Sequence, residues 1–132
     1  MSKINLSILV DYAHEPESMR RLLETASQWR KNKYFDYIIH VVSCCGKGRD
    51  DWKRSVMGSI SYLHADFSVV TTEEYTSSDD PIEILNALTE HFPTNTECLD
   101  LGQLNSEHKY FKVFDRLESL AICPTIASKI NE

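Results

Sequence analysis

Apolar runs and amphipathic stretches alternate along this chain, and that alternation restricts its fold more than any other feature. Three runs rich in β-branched or aromatic residues, at 6–12, 37–43 and 67–72, are nearly continuous in apolar character. Strands buried on both faces read this way. A shorter run at 97–101 predicts a fourth strand. Helical periods fill the gaps. Met19, Leu22, Leu23, Ala26 and Trp29 fall on one stripe after Pro16, a good first-turn residue. Val56, Met57, Ile60 and Leu63 make a second stripe. A third helix has a clear start, with Asp80 as cap, Pro81 at the first position and Glu83 completing a capping box. Its apolar face is Ile84, Leu85 and Leu88. A last helix carries Val113, Phe114, Leu117 and Leu120. Strand and helix thus alternate four times, which predicts an α/β fold with a parallel sheet, helices on its faces and right-handed crossovers.

Length and charge narrow the class. The 132 residues suit one domain, and 42% hydrophobic with 26% charged content is ordinary for a soluble globular protein. A net charge of −6 argues against a nucleic-acid surface, which needs clustered Lys and Arg. No apolar run approaches the roughly 20 residues of a membrane span, and the N-terminus has neither the apolar core nor the cleavage site of a secretory signal. The four cysteines, Cys44, Cys45, Cys98 and Cys123, contain no CxxC, so reduced thiols in a cytoplasmic protein are expected. His40, His64, His91 and His108 have no ligand spacing and are expected at the surface or the edge of the core. No metal site is expected.

In sheets of this kind ligands collect at the carboxyl ends of the strands. Three polar loops leave those ends, at 11–16, 44–53 and 71–80. In the first, Asp11 can accept hydrogen bonds from a ribose, while the Tyr12 phenol and His14 imidazole can pack against a base. The competing reading has Asp11 capping a turn and His14 satisfying a backbone group. In the second, Gly46 and Gly48 open backbone conformations closed to other residues. Arg49, Lys53 and Arg54 place positive charge near a helix N-terminus, which already favours anions. The competing reading is a solvated glycine turn. Neither GxxxxGK(S/T) nor GxGxxG occurs in the chain.

Taken together, "VDYAHEPESM", "GKGRDDWKRSVMG", "VVTTEEYTSSDDPIEI" and "FDRLESL" follow one another in an order that resembles the C-terminal domain of the Mur ligase family. The nearest branch is the UDP-N-acetylmuramoyl-tripeptide synthetases, which add the third amino acid of the peptidoglycan stem. The resemblance implies a Rossmann-like, mostly parallel sheet of four to six strands flanked by helices on both faces. It implies that Asp11, Tyr12 and His14 face the nucleotide. Arg49, in its glycine loop with Gly48 and Lys53, would meet the incoming amino acid. Lys53 and Arg54 would also shape that loop as ion-pair partners of Asp50 or Asp51. Asp115 and Arg116 match a motif with a structural role.

The family couples an amino acid to a UDP-MurNAc-peptide with ATP and Mg. Its P-loop, magnesium carboxylates and modified lysine lie in a central ATPase domain, which this chain does not contain. The chain alone is therefore expected to be inactive, and to work against such a domain or by self-association. Three departures stand out. Glu15 follows His14 where the family has Asn. The D-N-P-R run that reads diaminopimelate is absent, with "EEYT" at 73–76 in its place. The last strand, with its GKGHE-like segment, has no match in "AICPTIASKINE". These departures leave open an alternative, a stand-alone degenerate binding or regulatory module without catalysis.

Overall fold

In the computed structural model, which describes residues 5–44, 51–73 and 80–130, three parallel strands form the centre. They are β1 (Ile39–Val42), β2 (Phe67–Val70) and β3 (Tyr110–Lys112), ordered β1-β2-β3. Ile39 lies opposite Phe67, and Ser68 opposite Tyr110. All four residues of the middle strand are buried, so its continuous apolar run is explained by cover on both faces.

The pleat divides the core in two. On one face Val42, Val70 and Tyr110 meet Met19 and Leu23 of α1 (Pro16–Lys31), Met57 of α2 (Lys53–His64), and Ile84, Leu85 and Leu88 of α3 (Pro81–Leu88). On the other, Phe67, Val69 and Val113 meet Cys98, Leu104 and Ile126, the last on α5 (Cys123–Ile130), which follows α4 (Arg116–Ala121). The α/β class, the parallel sheet and the helices on both faces are as the alternation predicts. The strand number is not. Three strands are present among the described residues, against the four to six expected.

The differences have physical causes. The run 6–12 is not a strand here. It pairs with no other strand, and it leaves Ile8 80%, Val10 88% and Tyr12 89% exposed. An apolar run has the composition for a strand, but only a hydrogen-bonding neighbour makes it one. The run 97–101 contributes a single bridge, Glu97 to Tyr110, before the chain turns through a 3-10 turn at Leu101–Gln103. The third strand forms instead at Tyr110–Lys112. The last helix consequently starts later than expected. Val113 belongs to the core beside β3, and Asp115 caps α4 by accepting from the Leu117 and Glu118 amides. Phe114, Leu117 and Leu120 are exposed. The reciprocal half of the capping box expected of Glu83 is not made, although Asp80 does accept from the Ile82 amide.

Helix α2 is rotated from its apolar stripe. Its buried residues are Arg54, Met57, Gly58 and Ser61, while Val56 and Leu63 face solvent. Small residues let it lie close to its neighbours. Gly58 stands against the backbone of Leu88 at the end of α3. Ser61 joins a buried polar chain in which His40 Nδ1 lies 2.7 Å from Ser61 Oγ, itself 2.8 Å from Ser68 Oγ. Burial lowers the His40 pKa from 6.5 to about 4, so the ring is neutral in the fold.

Candidate functional site at the carboxyl edge of the sheet

Parallel strands deliver their carboxyl ends to one edge, and the N-termini of the following helices gather there. After β1 come Ser43 and Cys44, after β2 come Thr71, Thr72 and Glu73, and after β3 come Val113 and Phe114. These ends are tied to one another. Ser43 Oγ donates to Glu73 Oε1 at 3.3 Å, joining the first two. Thr72 Oγ1 donates to the Phe114 carbonyl at 2.8 Å, joining the second to the third. Cys44 is buried, with its thiol 3.8 Å from Met57 Sδ.

The loop preceding α1 is locally built. Asp11 Oδ1 accepts from the Ala13 amide at 2.8 Å, a turn in which the side chain stands in for backbone. His14 Nδ1 lies 3.0 Å from the Tyr12 carbonyl, to which it donates. The Tyr12 and His14 rings meet edge to face, with centroids 5.2 Å apart. This geometry contains the turn-capping reading of the sequence. It also leaves Asp11's second carboxylate oxygen and both rings at the surface, where all three residues are exposed or nearly so.

What joins this loop to the next is a residue that sequence reasoning did not place in the site. Glu15, the residue before α1, receives Lys53 of α2 at 2.7 Å on Oε1 and 2.6 Å on Oε2. His14 Nε2 lies 3.9 Å from the same carboxylate. One signal for Glu15 was available, since an acidic residue just before a first-turn proline sits at the positive end of a helix. Lys53 thus stands where the sequence places it, at the N-terminus of α2. Its ammonium engages Glu15 rather than open solvent, and its side chain is 13% exposed. Arg54 is buried beside Asp51, with 3.6 Å between Nη2 and Oδ1, as expected of a loop-shaping pair. Gly48, Arg49 and Asp50 lie outside the described residues, as do Glu74, Tyr75 and Thr76 of the 73–76 run that stands in place of D-N-P-R.

Among the described residues no three of His, Cys, Asp and Glu come together as a metal cluster, and no helix is long and apolar enough to cross a membrane. A shallow depression of about 140 Å³ lies at the opposite, amino edge of the sheet, lined by residues that include Tyr37, Asp66, His108 and Lys109. Its one carboxylate, Asp66, is already held by Arg30 at 2.5 Å and by the Ile38 amide at 2.7 Å.

Comparison with known proteins agrees with this fold. The family model described as "Mur ligase, glutamate ligase domain" matches residues 1–112. A UDP-N-acetylmuramoyl-L-alanyl-D-glutamate--2,6-diaminopimelate ligase from Cytophaga hutchinsonii is 33% identical over 97% of this chain and 23% of its own length. The protein of the same name from Oceanobacillus iheyensis is 31% identical over 89% of this chain and 20% of its own length. A solved structure of a ligase of that name superposes with a TM-score of 0.61 at 24% identity, covering 83% of this chain and 19% of that one, a likeness of fold. The chain therefore spans about a fifth of the length of these relatives. It belongs to the Mur ligase family, as a C-terminal domain of that family.

Proposed function

We propose that this chain is the positioning domain of an ATP-dependent, amide-bond-forming ligase of peptidoglycan precursor synthesis. It closes over ATP and orients the incoming amino acid. One observation carries the reading: at the carboxyl edge of the sheet, Glu15 and Lys53 bring the loop bearing Asp11, Tyr12 and His14 together with the N-terminus of α2.

The residues present fit one side of a nucleotide site. The free oxygen of Asp11 can accept from a ribose hydroxyl, and the exposed rings of Tyr12 and His14 offer a flat surface to a base. All three are too exposed to hold a nucleotide alone, so a second surface must close the site, and a central ATPase domain supplies it. ATP, once held there, provides the activation of the acceptor carboxylate. The residues described do not fit a magnesium ion, whose ligands belong to that central domain. On the amino-acid side, Arg49 beside Gly48 meets the substrate carboxylate, and Lys53 ties the start of α2 to Glu15. This is catalysis by placement, in which correct geometry replaces a bimolecular encounter.

Arg49→Ala tests the assignment in the full-length protein. Loss of a charge-assisted contact corresponds to a fall of roughly ten- to a hundredfold in kcat/KM for the amino acid. The melting temperature should stay unchanged, because a loop guanidinium contributes little to folding. A variant that unfolds, or that keeps full kcat/KM, removes Arg49 from the site.

A further inference from the structure

We propose that the depression at the amino edge of the sheet is a second ligand site, which binds a phosphate group as the free anion or as a monoester. It lies at the opposite edge from the nucleotide-facing loops, and the proposal stands independently of the function assigned to them.

The entrances of all three strands meet there. Tyr37 precedes β1, Asp66 precedes β2, and Asn105, Ser106, His108 and Lys109 lead into β3. The last of these segments is fixed by its own hydrogen bonds. The His108 amide donates to the Asn105 carbonyl at 3.1 Å, the Glu107 amide to Asn105 Oδ1 at 2.9 Å, and the Asn105 amide to His108 Nδ1 at 3.1 Å. Lys109 is pinned to the sheet, its amide donating to the Thr96 carbonyl at 2.8 Å and its carbonyl accepting from the Ser68 amide at 2.9 Å. A ligand here meets a turn already in place, so little ordering opposes binding.

The lining is unbalanced in favour of donors. Because His108 Nδ1 accepts from an amide, the ring carries its proton on Nε2, which is a donor. That N–H, the Lys109 ammonium, the Ser106 hydroxyl, the Tyr37 phenol and the Asn105 side-chain NH2 have no protein partner among the described residues. Against these donors stands one carboxylate. Asp66 Oδ2 already receives Arg30 at 2.5 Å and the Ile38 amide at 2.7 Å, and the guanidinium balances its charge. Lys109 then leaves the lining net positive, in a chain whose net charge is −6. Donors around a positive opening call for an oxyanion. A phosphate group offers more acceptor oxygens than a carboxylate does, which matches the number of donors here. The opening, about 140 Å³, suits that group rather than a whole nucleotide.

Hydrogen exchange read by mass spectrometry separates this site from any other phosphate site in the full-length protein. The peptide covering residues 104–112 is followed while inorganic phosphate is titrated, with chloride holding the ionic strength constant. The titration is repeated with glycerol 1-phosphate and with acetate, in the wild type, Lys109→Met and Ser106→Ala. Phosphate should slow exchange saturably in the wild type. Lys109→Met should raise the half-saturating concentration about tenfold or more, the equivalent of one lost charge-assisted hydrogen bond. Ser106→Ala should raise it by a smaller factor, and it carries the test should Lys109→Met fail to fold. Tighter binding of glycerol 1-phosphate assigns the site to a phosphorylated small molecule, and tighter binding of inorganic phosphate assigns it to the free anion. Slowing that does not saturate, or that persists unchanged in both variants, overturns the proposal. Acetate that protects as well as phosphate overturns it too.

Discussion

Gly58→Ala should lower the melting temperature by roughly 10 °C, the largest effect expected of any single methyl group added to this fold. A Cβ at Gly58 would lie 1.8 Å from the Leu88 carbonyl oxygen and 2.7 Å from its carbon. Those atoms are backbone at the end of α3, so no side-chain rotation can make room. The helices must separate, and Met57, Ile84, Leu85 and Leu88 lose packing together. Overpacking of this sort costs about 1–3 kcal/mol in tolerant sites, and a clash with backbone belongs at or above the top of that range. The helix propensity gained by replacing glycine offsets only about 1 kcal/mol. Thermal unfolding of the wild type and the variant measures the difference. A Gly58→Ala protein that melts with the wild type would show that α2 and α3 do not approach this closely.

The second large effect is a loss of stability in acid. His40 is neutral in the fold with a pKa of about 4, against 6.5 for the unconstrained side chain. Protons therefore bind the unfolded chain more readily than the native one. The stabilisation is complete above pH 6.5, falls as pH drops through the interval from 6.5 to 4, and is fully lost below about 4. At about 1.4 kcal/mol per pH unit, the loss approaches about 3 kcal/mol. The cause is desolvation of an imidazole whose Nδ1 is engaged by Ser61, which is itself engaged by Ser68. Urea unfolding at pH 7 and at pH 4.5 should show the decline in the wild type. It should show a decline smaller by about 2 kcal/mol in His40→Gln, which keeps a polar contact to Ser61 without a titrating ring. Equal declines in the two proteins would mean that carboxylates alone set the acid limit.

The parts of the fold legible in the sequence are those where local chemistry and tertiary packing agree. Ile84, Leu85 and Leu88 are buried as their spacing predicts, and Asp80 and Pro81 begin α3 where their residue types place them. The run 67–72 reads as a buried strand, and residues 67–70 of it are one. Where packing overrides pattern, the sequence misleads. On α2 the close approach to α3 and to the sheet selects Gly58 and Ser61 as buried residues, and no apolar period announces them. Tyr110, Phe111 and Lys112 form a strand by pairing with β2, whereas 6–12, richer in strand-forming residues, pairs with no strand.

The site divides along the same line. Asp11, Tyr12, His14 and Lys53 could be put forward as candidates from loop chemistry and motif order. The ion pair that joins their loops could not, because Glu15 and Lys53 meet only through the packing of α1 on α2. The ties between strand ends, Ser43 to Glu73 and Thr72 to the Phe114 carbonyl, are likewise products of the parallel register and carry no mark in the sequence.

The account turns on the carboxyl edge being the nucleotide-facing surface of a working ligase. The most direct measurement is phosphate release from ATP by the full-length protein, with and without UDP-MurNAc-dipeptide and an amino acid, in the wild type and in Asp11→Ala. Release should require both co-substrates, and the variant should raise the ATP KM about tenfold, the equivalent of one lost hydrogen bond to a charged group. Release that ignores the amino acid, or an Asp11→Ala protein with the wild-type ATP KM, would contradict it.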